Sequence, residues 1–326
     1  MLTFVARRLL ISIPVLLLSS VLVFVMVANS GDPLFELKTR NPPVPAHVIE
    51  ARRHQLRLDR PLPERYWYWI HNFARGDLGQ SVRGLDVGPL LVRRAAVTLR
   101  MVVLAIVLAV LLAVGSGVLS AVRQYTISDH ALTFAGFLFL SMPAFWLAAL
   151  LKEFGAIRLN QLLGRQWVFV VGDQSPNLTG PLGHRLADYT GHLLLPTIAI
   201  ALAAYAGWSR FQRAAMLEVL GSDYLRMARA KGLPRWRVTV LHALRNALVP
   251  LVTVVAIDVA AILGGVFVVE VVFSWHGMGE LFVQGVQAKD VNIVLACLMV
   301  SSVIVVLFNL LADILYGVLD PRVRED

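Results

Sequence analysis

Six apolar runs divide this sequence, at residues 9–28, 97–122, 131–151, 192–208, 248–273 and 291–319. Water cannot solvate them all. About 20 apolar residues in a helix cross a hydrocarbon core of about 30 Å, and lipid offers nothing to hydrogen-bond a free backbone, so each run reads as a membrane-spanning helix. Composition agrees, with 57% hydrophobic and 16% charged residues in a chain of 326. The third run is interrupted by Ser141 and Pro143, which predicts a kink that lines a cavity, and the short fourth is broken by Pro196. The first run follows Arg7 and Arg8, as the apolar core of a signal peptide would. It is long for that and lacks a small-x-small cleavage site, so it reads as a first span with the N-terminus inside.

Several function classes fall away. The net charge of +9 would suit a nucleic-acid binder, but the basic residues lie in loops between spans, without an aromatic-interleaved groove. Cys297 is the single cysteine, so no internal disulfide or CxxC metal pair exists. The histidines lack metal-ligand spacing. There is no G-x-x-x-x-G-K-[ST] loop, so any ATP energy must come from another polypeptide.

Between the first two spans lies a polar insertion, residues 29–94. Helices are expected at 45–58 and 63–74, the second carrying Tyr66, Trp69, Ile70 and Phe73 on one face. Such a stripe is packing or an interfacial belt; a substrate role is the alternative. Gly76-Asp77-Leu78-Gly79 reads as a turn. In the second span, Gly115 and Gly117 form a small-residue contact surface.

Residues 222–250, SDYLRMARAKGLPRWRVTVLHALRNALVP, form a helical hairpin. Ser222 is the expected N-cap, Asp223 suits the positive end of the helix dipole, and Arg229 and Lys231 suit the negative end. Gly232, Leu233 and Pro234 stop the helix. A second helix restarts at Arg235, its buried seam expected at Trp236, Val240, Ala243, Leu244 and Ala247. Eight basic residues between Arg210 and Arg245, against Glu218 and Asp223 alone, are what any cytoplasmic loop shows. Charge does not account for Ala228 and Ala230 flanking Arg229, with glycine two positions on. That helix is thin enough to seat in a groove.

This segment resembles the coupling loop of permease subunits in bacterial ABC importers, specifically the dipeptide and oligopeptide subfamily. The general signature E-A-A-x3-G-x9-I-x-L-P is met only at Ala228, Gly232 and Leu244; Arg226 and Arg245 replace its glutamate and proline. The peptide-permease form is met at Tyr224, Ala228, Ala230, Gly232 and residues 242–250. The 29–33 segment, G-D-L-G, the 191–196 segment GHLLLP and the 320–324 tail are also similar to that family.

The resemblance implies an all-α membrane protein of six transmembrane helices, with the type I ABC importer permease fold and a cytoplasmic coupling helix. Residues 1–28 would be the N-terminal helix and 29–94 an extracytoplasmic insertion. Residues 95–319 would be a five-helix core holding the coupling loop, 214–247, and residues 320–326 a cytoplasmic tail. It further implies a bacterial cytoplasmic (inner) membrane location with both termini cytoplasmic. The implied partners are a second homologous permease, two cytoplasmic ABC ATPase domains and an extracytoplasmic peptide-binding protein. No cofactor is expected on this chain, ATP and Mg being held by the ATPases. Asp223, Tyr224, Arg226, Ala228, Arg229, Ala230, Lys231, Gly232 and Leu233 would engage the ATPase. The implied function is alternating-access import of peptides, with no enzymatic step on this chain; nickel and glutathione are the alternative cargoes.

Two carboxylates are pathway or gate candidates. Asp258 lies mid-span, where an ionised group costs about 3 kcal/mol, so it faces a watery path or makes a structural hydrogen bond. Glu270 lies in VVEVVFSWHGMG, similar to the family's outer-side V-V-E-x-V-F-S-W-P-G-x-G, with His276 for the proline; an outer gate and a contact with the binding protein are expected there. Asn309 and Asp313 read as interhelical hydrogen bonding. An intramembrane enzyme using Asp258 or Glu270 is the rival of another class, but the sequence lacks D-D-x-x-D and G-x-G-D.

Overall fold

The computed structural model describes residues 2–39, 41–176 and 178–319, with side chains over 10–35, 37–39, 41–176, and 178–315. The tail expected at 320–326 and the side chains of Arg7 and Arg8 lie outside the described residues. The described residues are mainly helical, and the one strand-like pairing among them is an antiparallel bridge between Gln80 and Asp86. Among the described residues, five helices are long and apolar enough to cross a membrane, or six if one sharply bent pair counts as a span. The described residues divide into two compact units, one of Leu99–Trp275 with those from Leu307 onward, the other of Leu2–Thr98 with His276–Val306.

The second unit begins with α1 (Leu2–Ala28), α2 (Phe35–Lys38), α3 (Ala46–Gln55) and α4 (Leu62–Ala74). The aromatic stripe of α4 is packing. Phe24 of α1 meets Tyr66 with ring centroids 5.4 Å apart, and Trp69 stacks on Phe73 at 5.3 Å. Such pairs contribute about 0.5–1.5 kcal/mol each beyond their buried area. Ser20 and Tyr66 hydroxyls share a hydrogen bond of 2.8 Å.

The turn after α4 bends through left-handed glycines, Gly76 and Gly79. Arg52 holds the segment beyond it, donating to Val82 O at 3.1 Å and also to Ser81 O. Asn292 donates to Gln80 O at 2.7 Å, and the Asp290 carboxylate accepts Val82 N–H at 2.5 Å.

The first unit takes over within α5 (Val87–Val122), which starts ten residues before the expected apolar boundary. Then come α6 (Ile127–Ser141) and α7 (Ala144–Lys152). The expected kink is a fold-back of 107°. Its cause is Pro143, which forces Met142 into extended backbone, φ −85° and ψ 126°. The loop expected from residue 154 is helical for two more turns, a π-helical turn at Glu153–Arg158 and α8 (Leu159–Leu163), until Gly164 at φ +61° ends it.

Next is α9 (Leu182–Leu220), unbroken through the buried Pro196 where an interruption was expected. Packing against α12, α6 and α7 holds the flanking turns despite the missing donor. The chain continues through α10 (Asp223–Ala230), α11 (Arg235–Arg237), a π-helical turn at Val238–Ala243 and α12 (Leu244–Val272). Lys152 Nζ donates to Val272 O at 3.0 Å, capping the carbonyl end of α12. Last come α13 (Met278–Gln287), in the second unit, and α14 (Val291–Leu319), which begins in the second unit and ends in the first and matches the span expected from its hydropathy.

Candidate functional site

α10 begins at Asp223, but Ser222 does not cap it. Its backbone is extended, φ −70° and ψ 149°, yet its hydroxyl turns back to donate to Val219 O at 2.6 Å. The far end closes as the glycine requires. Gly232 sits at φ +78°, its N–H donates to Arg229 O at 3.0 Å, and Leu233 N–H reaches Ala228 O at 3.4 Å. This paired 5→2 and 6→1 arrangement is a Schellman motif, in which the residue beyond the glycine meets one at the third position from the helix end. Here those residues are Leu233 and Ala228, which pack on one shared cluster.

Leu225, with no exposed surface, is the anchor of α10. It packs with Ala121 from the end of α5, Ala215 and Met216 from the end of α9, and Val238, Ala243 and Ala247 from the second arm. Two polar ties add to this seat. Arg229 donates to Leu220 O, the last carbonyl of α9, at 3.1 Å, and Asn246 donates to the Tyr224 hydroxyl at 2.6 Å. The opposite face is open, with Met227 61% exposed and Tyr224 43% exposed. Asp223, Arg226, Arg229, Ala230, Lys231 and Gly232 are exposed too. The Arg226–Asp223 pair at 3.4 Å is fully in solvent and stabilises little.

The seam of the second arm follows the sequence reading in its later residues and departs from it in its first ones. Trp236 and Val240 are exposed, while Val238, Ala243 and Ala247 are buried. The expected seam holds at Ala243 and Ala247, with Leu244 half-buried, and fails at Trp236 and Val240. The π-helical turn at Val238–Ala243 inserts one residue into the repeat, so one 3.6-residue pattern does not carry from the start of the arm to its end.

A second constellation went unread in the sequence. Arg213 of α9 donates from Nε to Asp129 Oδ1 and from Nη2 to Asp129 Oδ2, each at 2.9 Å. The same Nε reaches Ser120 Oγ of α5, also at 2.9 Å, and Tyr125 N–H donates to Asp129 at 2.9 Å. Asp129 is only 3% exposed; a bidentate guanidinium compensates such a carboxylate well. One signal was available, an arginine within a long and largely apolar helix, but its partner lies 84 residues away. Beside the cluster is a cavity of about 440 Å³ lined by Ser116, Ser120, Thr133, Tyr205, Ser209 and Arg210. Gly117 permits the close approach of α5 and α9, since a Cβ there would stand 2.8 Å from Gln212 Cγ. Gly115 has open space instead.

Asp258 and Glu270, both on α12, are not brought together. Asp258 is half-buried and accepts the Trp208 indole N–H at 2.7 Å, a partner on this same chain. Glu270 has no exposed surface, so its carboxylate offers nothing for an external protein to touch. Its backbone carbonyl accepts Trp275 N–H at 2.7 Å, shaping the turn that follows.

Residues 105–325 match the family described as binding-protein-dependent transport system inner membrane component, and residues 1–84 match the N-terminal segment of such membrane components. The chain is 44% identical over 321 residues to the oligopeptide transport system permease protein OppB of Mycobacterium tuberculosis, covering 98% of both chains. It is 36% identical to AppB of Bacillus subtilis, an oligopeptide transport system permease, over 99% of this chain and 100% of that one. The dipeptide transport system permease DppB of Escherichia coli is 35% identical, over 100% and 99% respectively. Among solved structures, an inward-facing MetNI methionine ABC transporter matches with a TM-score of 0.53 at 18% identity, over 71% of this chain and 96% of that one. That likeness extends to the fold alone.

Proposed function

The chain belongs to the family of binding-protein-dependent transport system inner membrane components, and from that membership we propose that it is the permease subunit of an ATP-driven peptide importer. The observation that carries the mechanism is the seat of α10. Leu225, Ala228 and Leu233 pack on the ends of α5 and α9 and on the arm that becomes α12. Closely packed interiors transmit displacement rather than absorb it. A push on residues 223–233 therefore moves three long helices together.

In this reading an ATPase receives the exposed face of α10, Asp223 to Leu233, and supplies ATP and Mg; this chain performs no hydrolysis. A second, related permease completes the path, and a peptide-binding protein delivers cargo on the opposite side. Both termini and the coupling loop are cytoplasmic. Asp258 lies along the path, its carboxylate oriented by Trp208. Glu270 supports the outer turn from within. Peptide cargo rests on the three relatives, all peptide permeases; nickel or glutathione would need path-facing residues of different chemistry.

The test is a mild-detergent pull-down of the tagged chain from its native membrane beside a Gly232→Trp variant. Trp at φ +78° breaks the Schellman turn. An ATPase and a second permease are expected with the wild type, and only the permease with the variant. A chain that elutes alone in both cases overturns the reading.

A further inference from the structure

The unit containing α1 to α4 holds a second cavity, of about 370 Å³, within the size range of small-ligand sites. Several charges on this polar segment are paired: Arg53 with Glu50, Arg60 with Glu64, Lys38 with Asp32. Arg57 and Arg65, which line the cavity, have no carboxylate within ion-pair distance among the described residues. The Arg57 guanidinium lies 3.1 Å over the Tyr68 ring and that of Arg65 lies 5.8 Å from the Phe24 ring. Arg57 also holds left-handed backbone at φ +53°, uncommon for a side chain of its size. Burial lowers the Arg65 pKa, with no opposing charge to restore it. Trp69, 7% exposed, lines the same cavity, and its indole N–H has no acceptor. Buried donors without acceptors destabilise a fold, and an anionic group held by both arginines would relieve that cost.

The cavity also has acidic lining, in Asp77 and Asp86 from the segment after α4 and in Asp290, which is buried and accepts Val82 N–H. One Asp77 oxygen accepts Gly79 N–H at 2.9 Å, leaving the other open. Arg65 stands in the first turn of α4 and Asp77 three residues past its end at Ala74. At 1.5 Å per residue, the helix alone separates them by about 14 Å. An extended peptide advances about 3.3 Å per residue, so about four residues span that distance. A zwitterionic lipid headgroup carries its two charges only a few bonds apart and does not.

We propose that this cavity binds a short peptide of about four residues end to end, its carboxylate on Arg57 and Arg65 and its ammonium at Asp77 and Asp86. It is a peptide subsite separate from the α5–α9 cavity, and its cargo chemistry rests on the importer reading above.

The test is calorimetric titration of the purified full chain, in lipid nanodiscs without any binding protein, with tetra-alanine, its C-terminal amide and its N-acetyl form. Free tetra-alanine is expected to bind at least tenfold more tightly than either blocked form. Arg57→Gln with Arg65→Gln should remove discrimination against the amide while leaving thermal unfolding in place. Should that double variant fail to fold, Asp77→Asn keeps the Gly79 contact and should remove discrimination against the acetylated form. Equal binding of all three peptides, no binding, or displacement by inorganic phosphate or phosphatidylethanolamine overturns the subsite. Chain-dependent peptide uptake by cells is measured in parallel: uptake without end-selective binding rejects the subsite and leaves the importer, and end-selective binding without uptake does the reverse.

Discussion

Trp208 of α9 donates its indole N–H to the carboxylate of Asp258 on α12 at 2.7 Å. Trp208 is buried to 1% exposure, so the hydrogen bond fixes one large side chain and orients one mid-span charge together. A lone carboxylate at that depth would be costly, and an oriented one beside a donor costs less. The pair links the two long helices that carry the ends of the α10 seat.

Replacing Asp258 with Leu should therefore strand a buried N–H and cost about 1–3 kcal/mol. Asp258→Asn keeps an acceptor and should fall within about 1 kcal/mol of the wild type. Thermal unfolding of the purified chain in detergent measures both. Equal melting of the Leu and Asn variants would remove the hydrogen bond as the reason for the pairing.

Leu225→Ala removes a fully buried side chain, a change that costs about 2–5 kcal/mol in packed interiors. The loss is expected locally, as faster amide exchange across residues 223–233 with slow exchange kept in the buried part of α9. Met227→Ala on the open face should leave exchange unchanged.

The Arg213–Asp129 clamp gives a third expectation. Arg213→Ala leaves a buried carboxylate uncompensated and should cost about 3–5 kcal/mol. Adding Asp129→Asn removes the orphaned charge and should recover part of that loss, a coupling readable in a double-mutant cycle. Simple additivity of the two changes would show that the clamp contributes only its separate contacts.

Two carboxylates outside the spans titrate with opposite signs. The Lys38 contact holds Asp32 below its ordinary value of 3.8, so its stabilisation is present above that value and fades as pH falls through the lowered folded-state pKa. Burial raises Asp290 above 3.8, so its contribution is fully present below 3.8 and fades as pH rises through the raised folded-state pKa. Asp32→Asn should flatten the acid limb of a melting-temperature profile, and Asp290→Asn the decline toward neutrality. Parallel profiles for both variants and wild type would contradict the assignment.

Much of the fold was legible because lipid imposes a simple rule on sequence. The last span came through residue for residue at Val291–Leu319, since nothing but apolar length was needed to find it. α5 and α9 begin earlier than their apolar runs because their first turns carry Arg93 and Arg94, or His184, Arg185 and Asp188. Hydropathy passes over such turns. Asp188 is nonetheless buried there, accepting Ser175 N–H at 3.0 Å from the preceding loop.

The sequence by itself determined the class of the chain, its apolar spans, the break at Pro143 and the stop at Gly232. Each follows from a constraint local to a few residues: the reach of a helix across lipid, the clash before a proline, the freedom of glycine at positive φ. The register of the second hairpin arm, the union of Arg213 with Asp129 and that of Trp208 with Asp258 were decided only by tertiary structure. Those partners stand 84 and 50 residues apart, and the π-helical turn at Val238–Ala243 puts the residues at its start out of phase with those after it. Which helix faces meet is set by packing summed over whole helices, and no short window of sequence contains that sum.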